Sequence, residues 1–369
     1  MAEAPNNAPN TSVQEINAQE AFSGTKPVDE RYALPEPALK AWLEANVAGY
    51  EGPMELRQFK GGQSNPTYQI VTAKQKYVLR RKPPGKLLPS AHAVDREFKV
   101  ISALYPTGFP VAQPFGLCTD ENVIGTMFYV MANVDGRIIW DNTLPGASNE
   151  ERRKIYEAKI ATLAALHNTD YKKVGLEDFG KPGSYFLRQI SRWTKQYKLS
   201  ETRKIDEMDK LIEWLPQTVP PGETTSIVHG DYRLDNMVLH PTEPRVLAVL
   251  DWELSTLGDP LADFTYHLMN WVMPTNVRYG LNGLDLASMG IPTRDEYIGL
   301  YCEHTKRPGI PNIEWYFAYN AFRLAAILQG IVGRVRDGTA SNAFAEQSAD
   351  RVIPLADIAF EYAKRAGLK

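Results

Sequence analysis

Large apolar residues recur along this chain in two rhythms. In the first third they alternate with polar residues or form short blocks between Gly, Pro and Asn, the pattern of β-strands, over 54–60, 67–72, 76–81 and 126–131. Between the third and fourth of these runs, residues 93–104 carry helical spacing, and a shorter helix is predicted over 38–47, with Leu39, Trp42, Leu43 and Val47 along one side. The expected result is an antiparallel sheet with one helix inserted. Further along, the helical rhythm dominates. Ser148-x-x-Glu151 has the form of a capping box and opens a helix to about His167, with Ile155, Ile160, Leu163 and Leu166 inward. Helices follow over 187–197 and 203–215, and 216–225 reads as a linker. Asp259-Pro260 starts another helix running through His267, Thr293 to Glu296 forms a second capping box, and 314–335 is a long apolar helix. Residues 1–25 are polar and aperiodic, so they read as a flexible tail.

Composition narrows the class without naming a function. With 369 residues, and domains of about 150 residues as the prior, two lobes are expected. Apolar content of 43% and charged content of 23% describe an ordinary globule. Lys and Arg at 41 against Asp and Glu at 44 leave a net charge of -3, so no global field recruits nucleic acid or an anionic membrane. Cys118 and Cys302 lie far apart with no zinc or disulfide spacing, and no basic, apolar leader or membrane-length apolar run is visible. These features point to a cytoplasmic protein.

The chemistry concentrates in His229-Gly230-Asp231-Tyr232-Arg233-Leu234-Asp235-Asn236 and the apolar strand 246–250 that ends in Asp251. Residues 237–240 read as a strand and 241–244 as a turn. Folding that hairpin between Glu243 and Pro244 sets Asn236 opposite Asp251. An amide and a carboxylate oxygen suit a hard cation such as Mg²⁺, while Asp231 is left to accept or orient a hydroxyl proton, the division of labour that phosphoryl transfer from ATP requires. Singly, each of these residues is an ordinary turn former or cap.

His229-Gly-Asp231-x-x-x-x-Asn236 followed by Leu250-Asp251-Trp252-Glu253 resembles the catalytic and metal motifs of the aminoglycoside phosphotransferase family, relatives of protein kinases that act on small molecules. Gly230 stands where protein kinases have Arg, which removes the usual partner of a phosphorylated activation loop. The resemblance implies an α+β, protein-kinase-like two-lobed fold, its small lobe an antiparallel sheet plus helix and its large lobe mainly helical. It implies a tail at 1–25, a nucleotide-binding lobe at 26–132 and a catalytic, substrate-binding lobe at 133–369.

The same resemblance distributes roles. Gly61, Gly62, Gln63, Ser64 and Asn65 form a turn whose amides and side chains meet phosphates, although a Gly-Gly turn alone is commonly just a turn. Arg80 occupies the position of the kinase strand Lys, with Glu97 to hold it, or the two form an ordinary surface ion pair. The backbone at Met131, Ala132 and Val134 reads the adenine edge. Asn236 and Asp251 hold Mg²⁺, Asp231 is the base, and Arg233 neutralises charge on the transferred group or anchors the loop. His92 reads equally as a helix-end or packing residue and as a site residue, His167 as a cap or dipole partner of its helix rather than a catalyst, and Lys82 and Lys86 as solvated charges or contacts to an anionic substrate. An Asp at position 259 steadies the catalytic loop.

The turn at Gly62 to Thr67, the strand 77–85, Ser90-Ala91-His92 and Arg96-Glu97 look like the kinase domain fused in some organisms to an acyl-CoA dehydrogenase. Stand-alone relatives of that domain act in 4-hydroxy acid catabolism. The resemblance therefore implies a small-molecule acceptor, the 4-hydroxyl of a hydroxyacyl-CoA, and an acyl-CoA dehydrogenase as functional partner. Two alternatives are a kinase of another small alcohol, such as an aminoglycoside, and a nucleotide-binding pseudokinase, because the strand Lys is missing. A metallophosphoesterase is disfavoured: Gly230-Asp231-x-x-x-Asp235 misses the GDxxDR spacing by one residue, and no DxH precedes it.

Overall fold

Arg80 and Leu79 are neighbours in one strand and face opposite ways, and that alternation organises the first part of the molecule. The computed structural model describes residues 23–60, 65–83, 92–275, 277, 280–336 and 345–369. Six strands form one sheet: β1 (Thr25–Lys26), β2 (Glu55–Phe59), β3 (Thr67–Val71), β4 (Lys76–Arg81), β5 (Pro114–Cys118) and β6 (Phe128–Ala132). They are ordered β1-β2-β3-β4-β6-β5, every pair antiparallel. Tyr68, Ile70, Tyr77, Leu79, Phe128 and Val130 turn to one face, where Leu39 and Leu43 of helix α1 (Glu36–Asn46) cover them. On the other face lies helix α2 (Val94–Leu104), whose Val94, Val100, Ile101 and Leu104 join a second, larger core. Arg96 ties α2 to that larger body by donating to the Phe179 carbonyl at 2.5 Å.

The second body is mainly helical: α3 (Asn149–Asn168), α4 (Tyr185–Ser200), α5 (Asp206–Trp214), α6 (Pro260–Leu268), α7 (Arg294–Thr305), α8 (Ile313–Arg336) and α9 (Ala345–Arg365). Helix α8 packs against α4, α6 and α9, and its Trp315, Phe317, Phe322 and intervening alanines are buried. Each large side chain so buried contributes on the order of 1.5–3 kcal/mol. Two short ribbons sit between the helices, β7 (Ser226–Val228) with β10 (Thr256–Gly258), and β8 (Met237–Leu239) with β9 (Val246–Val249).

Most predicted elements form within a few residues of their expected ends. Strand β5 has no signal in the sequence pattern, since Pro114-Phe115-Gly116-Leu117-Cys118 does not alternate; Gly116 lets it lie against Trp42, whose ring would be 3.1 Å from an added Cβ. Thr293 and Glu296 form the full reciprocal capping box. At α3 only half of it exists: Ser148 Oγ accepts the Glu151 amide at 3.1 Å, while the Glu151 carboxylate pairs with Arg137 at 2.9 Å.

Candidate functional site

Strand β7 delivers the chain to His229, and the loop that follows is held from beneath. The backbone amides of His229 and Gly230 donate to the Asp263 carboxylate at 2.6 and 2.8 Å. Asp263 in turn meets His167 Nε2 at 3.3 Å, and His167 Nδ1 lies 2.8 Å from the Tyr301 hydroxyl. Burial opposes ionisation of Asp263, but its contacts with His167 and His229 overcome that and hold it below the ordinary carboxylate range. Asp259, read from the sequence both as the start of a helix and as a support of this loop, takes the first role. It caps α6 through the Leu261 amide at 2.8 Å and takes the Thr224 amide at 2.8 Å. The loop support is Asp263, one helical turn on, and His167 is its partner.

Gly230 has φ 85°, and a Cβ there would stand 2.7 Å from the Leu254 carbonyl oxygen. That left-handed, crowded position admits only Gly without strain. Its own carbonyl accepts from Arg323 Nη2 of α8 at 2.7 Å.

Asp231 is thereby presented with defined partners. Its Oδ1 accepts the Tyr266 hydroxyl at 2.5 Å and makes an ion-pair contact with Arg233 Nε at 3.1 Å. Asn236 Nδ2 donates to Oδ2 at 3.2 Å and to the Asp231 main-chain oxygen at 2.9 Å. The carboxylate still keeps 20% of its side-chain surface open. Arg233 reaches Asp235 at 3.0 Å with its other end. Burial works against its charge, and Asp231 and Asp235 outweigh it, so Arg233 is held firmly protonated.

The β8/β9 register differs by one residue from the symmetric hairpin expected. Met237 pairs with Val249 and Val238 with Ala248, and the Leu250 amide donates to the Asn236 carbonyl at 2.8 Å, so Leu250 rather than Asp251 stands opposite Asn236. The turn is centred between Thr242 and Glu243, one residue earlier than expected, and a bulge between Val238 and Leu239 takes back one of the two residues of register this shifts. Asp251 lies just beyond, in the left-handed region at φ 64°, which turns its carboxylate towards the sheet. There Arg80 Nη2 donates to it at 2.6 Å.

Arg80 thus links the two bodies. Its Nε lies 2.9 Å from Glu97 Oε2, and Nη2 is 3.7 Å from Glu253. Glu97, 1% exposed, also accepts the Asn65 amide at 3.0 Å and the Tyr129 hydroxyl at 3.1 Å. Burial raises the Glu97 pKa against the pull of Arg80, and for Arg80 the nearby Glu97 and Asp251 overcome burial and strengthen its hold on the proton. His92 Nδ1 lies 3.0 Å from Asn65 Oδ1, completing a chain from the start of α2 to the ribbon loop.

Met131 and Ala132 end β6. The Ala132 amide is committed to the Gln113 carbonyl at 2.8 Å and that of Asn133 to Lys76 at 3.2 Å. Among the described residues, the Val134 backbone has no hydrogen-bond partner. Gly61, Gly62, Gln63, Ser64 and Lys86 lie outside the described residues. Lys82 sits 3.9 Å from Asp95. Tyr266, Asp263 and Arg323 were not singled out from sequence. An Asp inside the otherwise apolar run of α6 is the signal that was available for Asp263.

The model of the phosphotransferase enzyme family matches residues 55–299, and the chain belongs to that family. It is 44% identical over 370 residues to mouse acyl-CoA dehydrogenase family member 10, covering 98% of this chain and 35% of the mouse protein. The chain thus spans well under half the length of the curated relatives it matches. A solved structure from Ralstonia eutropha JMP134, classed by name with the aminoglycoside phosphotransferases, is 52% identical, covers 90% of this chain and 99% of its own, and has a TM-score of 0.83. Spectinomycin phosphotransferase in complex with ADP and spectinomycin shares the fold at 10% identity, with 89% of this chain and 98% of its own covered and a TM-score of 0.59. The fold is the mixed α+β, two-lobed arrangement of protein-kinase-like phosphotransferases, and the protein is a small-molecule phosphotransferase. Among the described residues no helix is long and apolar enough to cross a membrane.

Proposed function

We propose that this protein transfers the γ-phosphoryl group of ATP to the hydroxyl of a small acyl compound, with the 4-hydroxyl of a hydroxyacyl-CoA as the acceptor. The observation that carries the reading is Asp231: a carboxylate oriented by Tyr266, Asn236 and Arg233, with 20% of its side chain exposed. Such a group can hydrogen-bond an incoming hydroxyl, aim its oxygen and take its proton as the new bond forms. Arg233 balances negative charge beside it.

The donor set fits a nucleotide-bound magnesium ion. Asn236 uses its amide nitrogen on Asp231, so its Oδ1 accepts no hydrogen bond among the described residues, and Asp251 offers a carboxylate that is 33% exposed. Both are hard oxygen donors. Mg²⁺ keeps several water and phosphate ligands, so two protein oxygens suffice to hold it on the nucleotide. When bound, Mg²⁺-ATP supplies the phosphoryl group and the neutralisation of its charge. Arg80 and Asn65 lie on the phosphate side, and Val134 has the backbone free to meet the adenine edge.

The acceptor is read from kinship. Relatives named as acyl-CoA dehydrogenase family members align with this chain, which points to an acyl substrate and to a dehydrogenase as functional partner. A screen of ATP consumption against 4-hydroxy acids, their CoA esters and aminoglycosides tests this. Turnover with hydroxyacyl-CoA supports the reading, and turnover with aminoglycosides alone contradicts it.

A further inference from the structure

Arg323 lies next to the Asp231 loop and is unusually placed for a cation. It is buried, with 7% of its surface exposed, and Asp231 is the carboxylate whose charge acts on it. Its Nη2 donates to the Gly230 carbonyl at 2.7 Å, one residue from Asp231. Its guanidinium carbon stands 5.0 Å from the Tyr266 ring centroid and 5.9 Å from that of Trp193. Tyr266 is the same residue that donates to Asp231. A guanidinium has five N–H donors, and one neutral carbonyl leaves it far from satisfied. Burial opposes its charge, yet the surrounding tyrosines and Asp231 outweigh that, so the cation persists beside the loop with donors to spare for a ligand.

We propose that Arg323, walled by Trp193 and Tyr266, is the acceptor-recognition residue and takes an acyl oxygen of the substrate, either a free carboxylate or a thioester carbonyl. This rests on the phosphotransferase reading of Asp231. The aromatic faces that would hold a substrate cation are already occupied by the chain's own cation. A second positive charge there is repelled. The site therefore selects against polyamine acceptors and for hydroxy acids or their esters.

The test is acceptor and ATP binding by calorimetry, together with steady-state turnover, for the full chain, Arg323→Gln and Arg323→Lys. The probes are 4-hydroxypentanoate, 4-hydroxypentanoyl-CoA and kanamycin. Gln keeps a donor for the Gly230 carbonyl while removing the charge, so the loop is spared. Loss of a charge-assisted hydrogen bond predicts a roughly 10- to 100-fold weaker acceptor affinity and KM in Arg323→Gln. ATP affinity should stay within about twofold, and Lys should fall between. A loss confined to the free acid assigns the carboxylate; an equal loss on both assigns the shared acyl oxygen. Unchanged acceptor affinity, an equal loss for ATP, or kanamycin as the better wild-type ligand overturns the proposal. Arg323-dependent binding of the acid without any ATP consumption would instead sink the phosphotransferase reading while leaving this assignment standing.

Discussion

The Tyr266 hydroxyl donates to Oδ1 of Asp231 at 2.5 Å, joining the middle of α6 to the loop after β7. The contact fixes which way the carboxylate faces and leaves its other oxygen to Asn236. Tyr266→Phe keeps the ring and removes the donor. We expect kcat to fall about tenfold, in line with the loss of one hydrogen bond to a charged group, with KM for ATP little changed. Full kcat in Tyr266→Phe would show that Arg233 and Asn236 suffice to orient Asp231.

Arg80 holds two carboxylates from different parts of the chain, Glu97 in α2 and Asp251 after β9. Removing one partner of a buried ionic group costs about 3–5 kcal/mol, because the remaining charges lose their compensation. Arg80→Met should therefore lower stability by about that amount in chemical unfolding and raise KM for ATP. Arg80→Lys keeps the charge but not the planar fork, so it should recover most of the stability and less of the geometry. Wild-type stability in Arg80→Met would contradict the linking role.

Much of this site is legible in the sequence, and the gaps have identifiable causes. The alternation in 76–81 places Arg80 on the face opposite Tyr77 and Leu79, and the helix at 93–104 brings Glu97 to it. Local spacing carries that information. It fails at the hairpin, where the turn is centred one residue early and a bulge only partly offsets it, which leaves Leu250 opposite Asn236. The loop support, expected at Asp259, falls at Asp263 because capping consumes Asp259 and the next turn of α6 faces the loop. Tyr266 and Arg323 sit in helical runs where a Tyr or Arg reads as packing. Only the approach of α6 and α8 to one loop gives them polar partners there.

Beneath the loop, Lys159 of α3 is fully buried. Among the described residues its Nζ has no hydrogen-bond partner, and it stands 4.3 Å from the Tyr156 ring centroid. Burial pulls its pKa down to about 7, against the opposing charge of Asp235. The unfolded lysine titrates near 10.5, so between about 7 and 10.5 the unfolded chain holds the extra proton and stability rises with pH. Below about 7 the cost of the buried ammonium is fully present. Lys159→Met should raise Tm most at pH 6, with a gain that shrinks through the alkaline window. Equal gains at pH 6 and pH 10 would contradict this.

The central claim is that Asp231 accepts the proton of a substrate hydroxyl during phosphoryl transfer. It is tested most directly by acceptor-dependent ADP formation in wild type and Asp231→Asn, with ATP affinity measured on both proteins. The expected result is a loss of turnover of about 10²- to 10⁴-fold, with ATP binding retained. Turnover in Asp231→Asn at the wild-type rate would contradict the assignment.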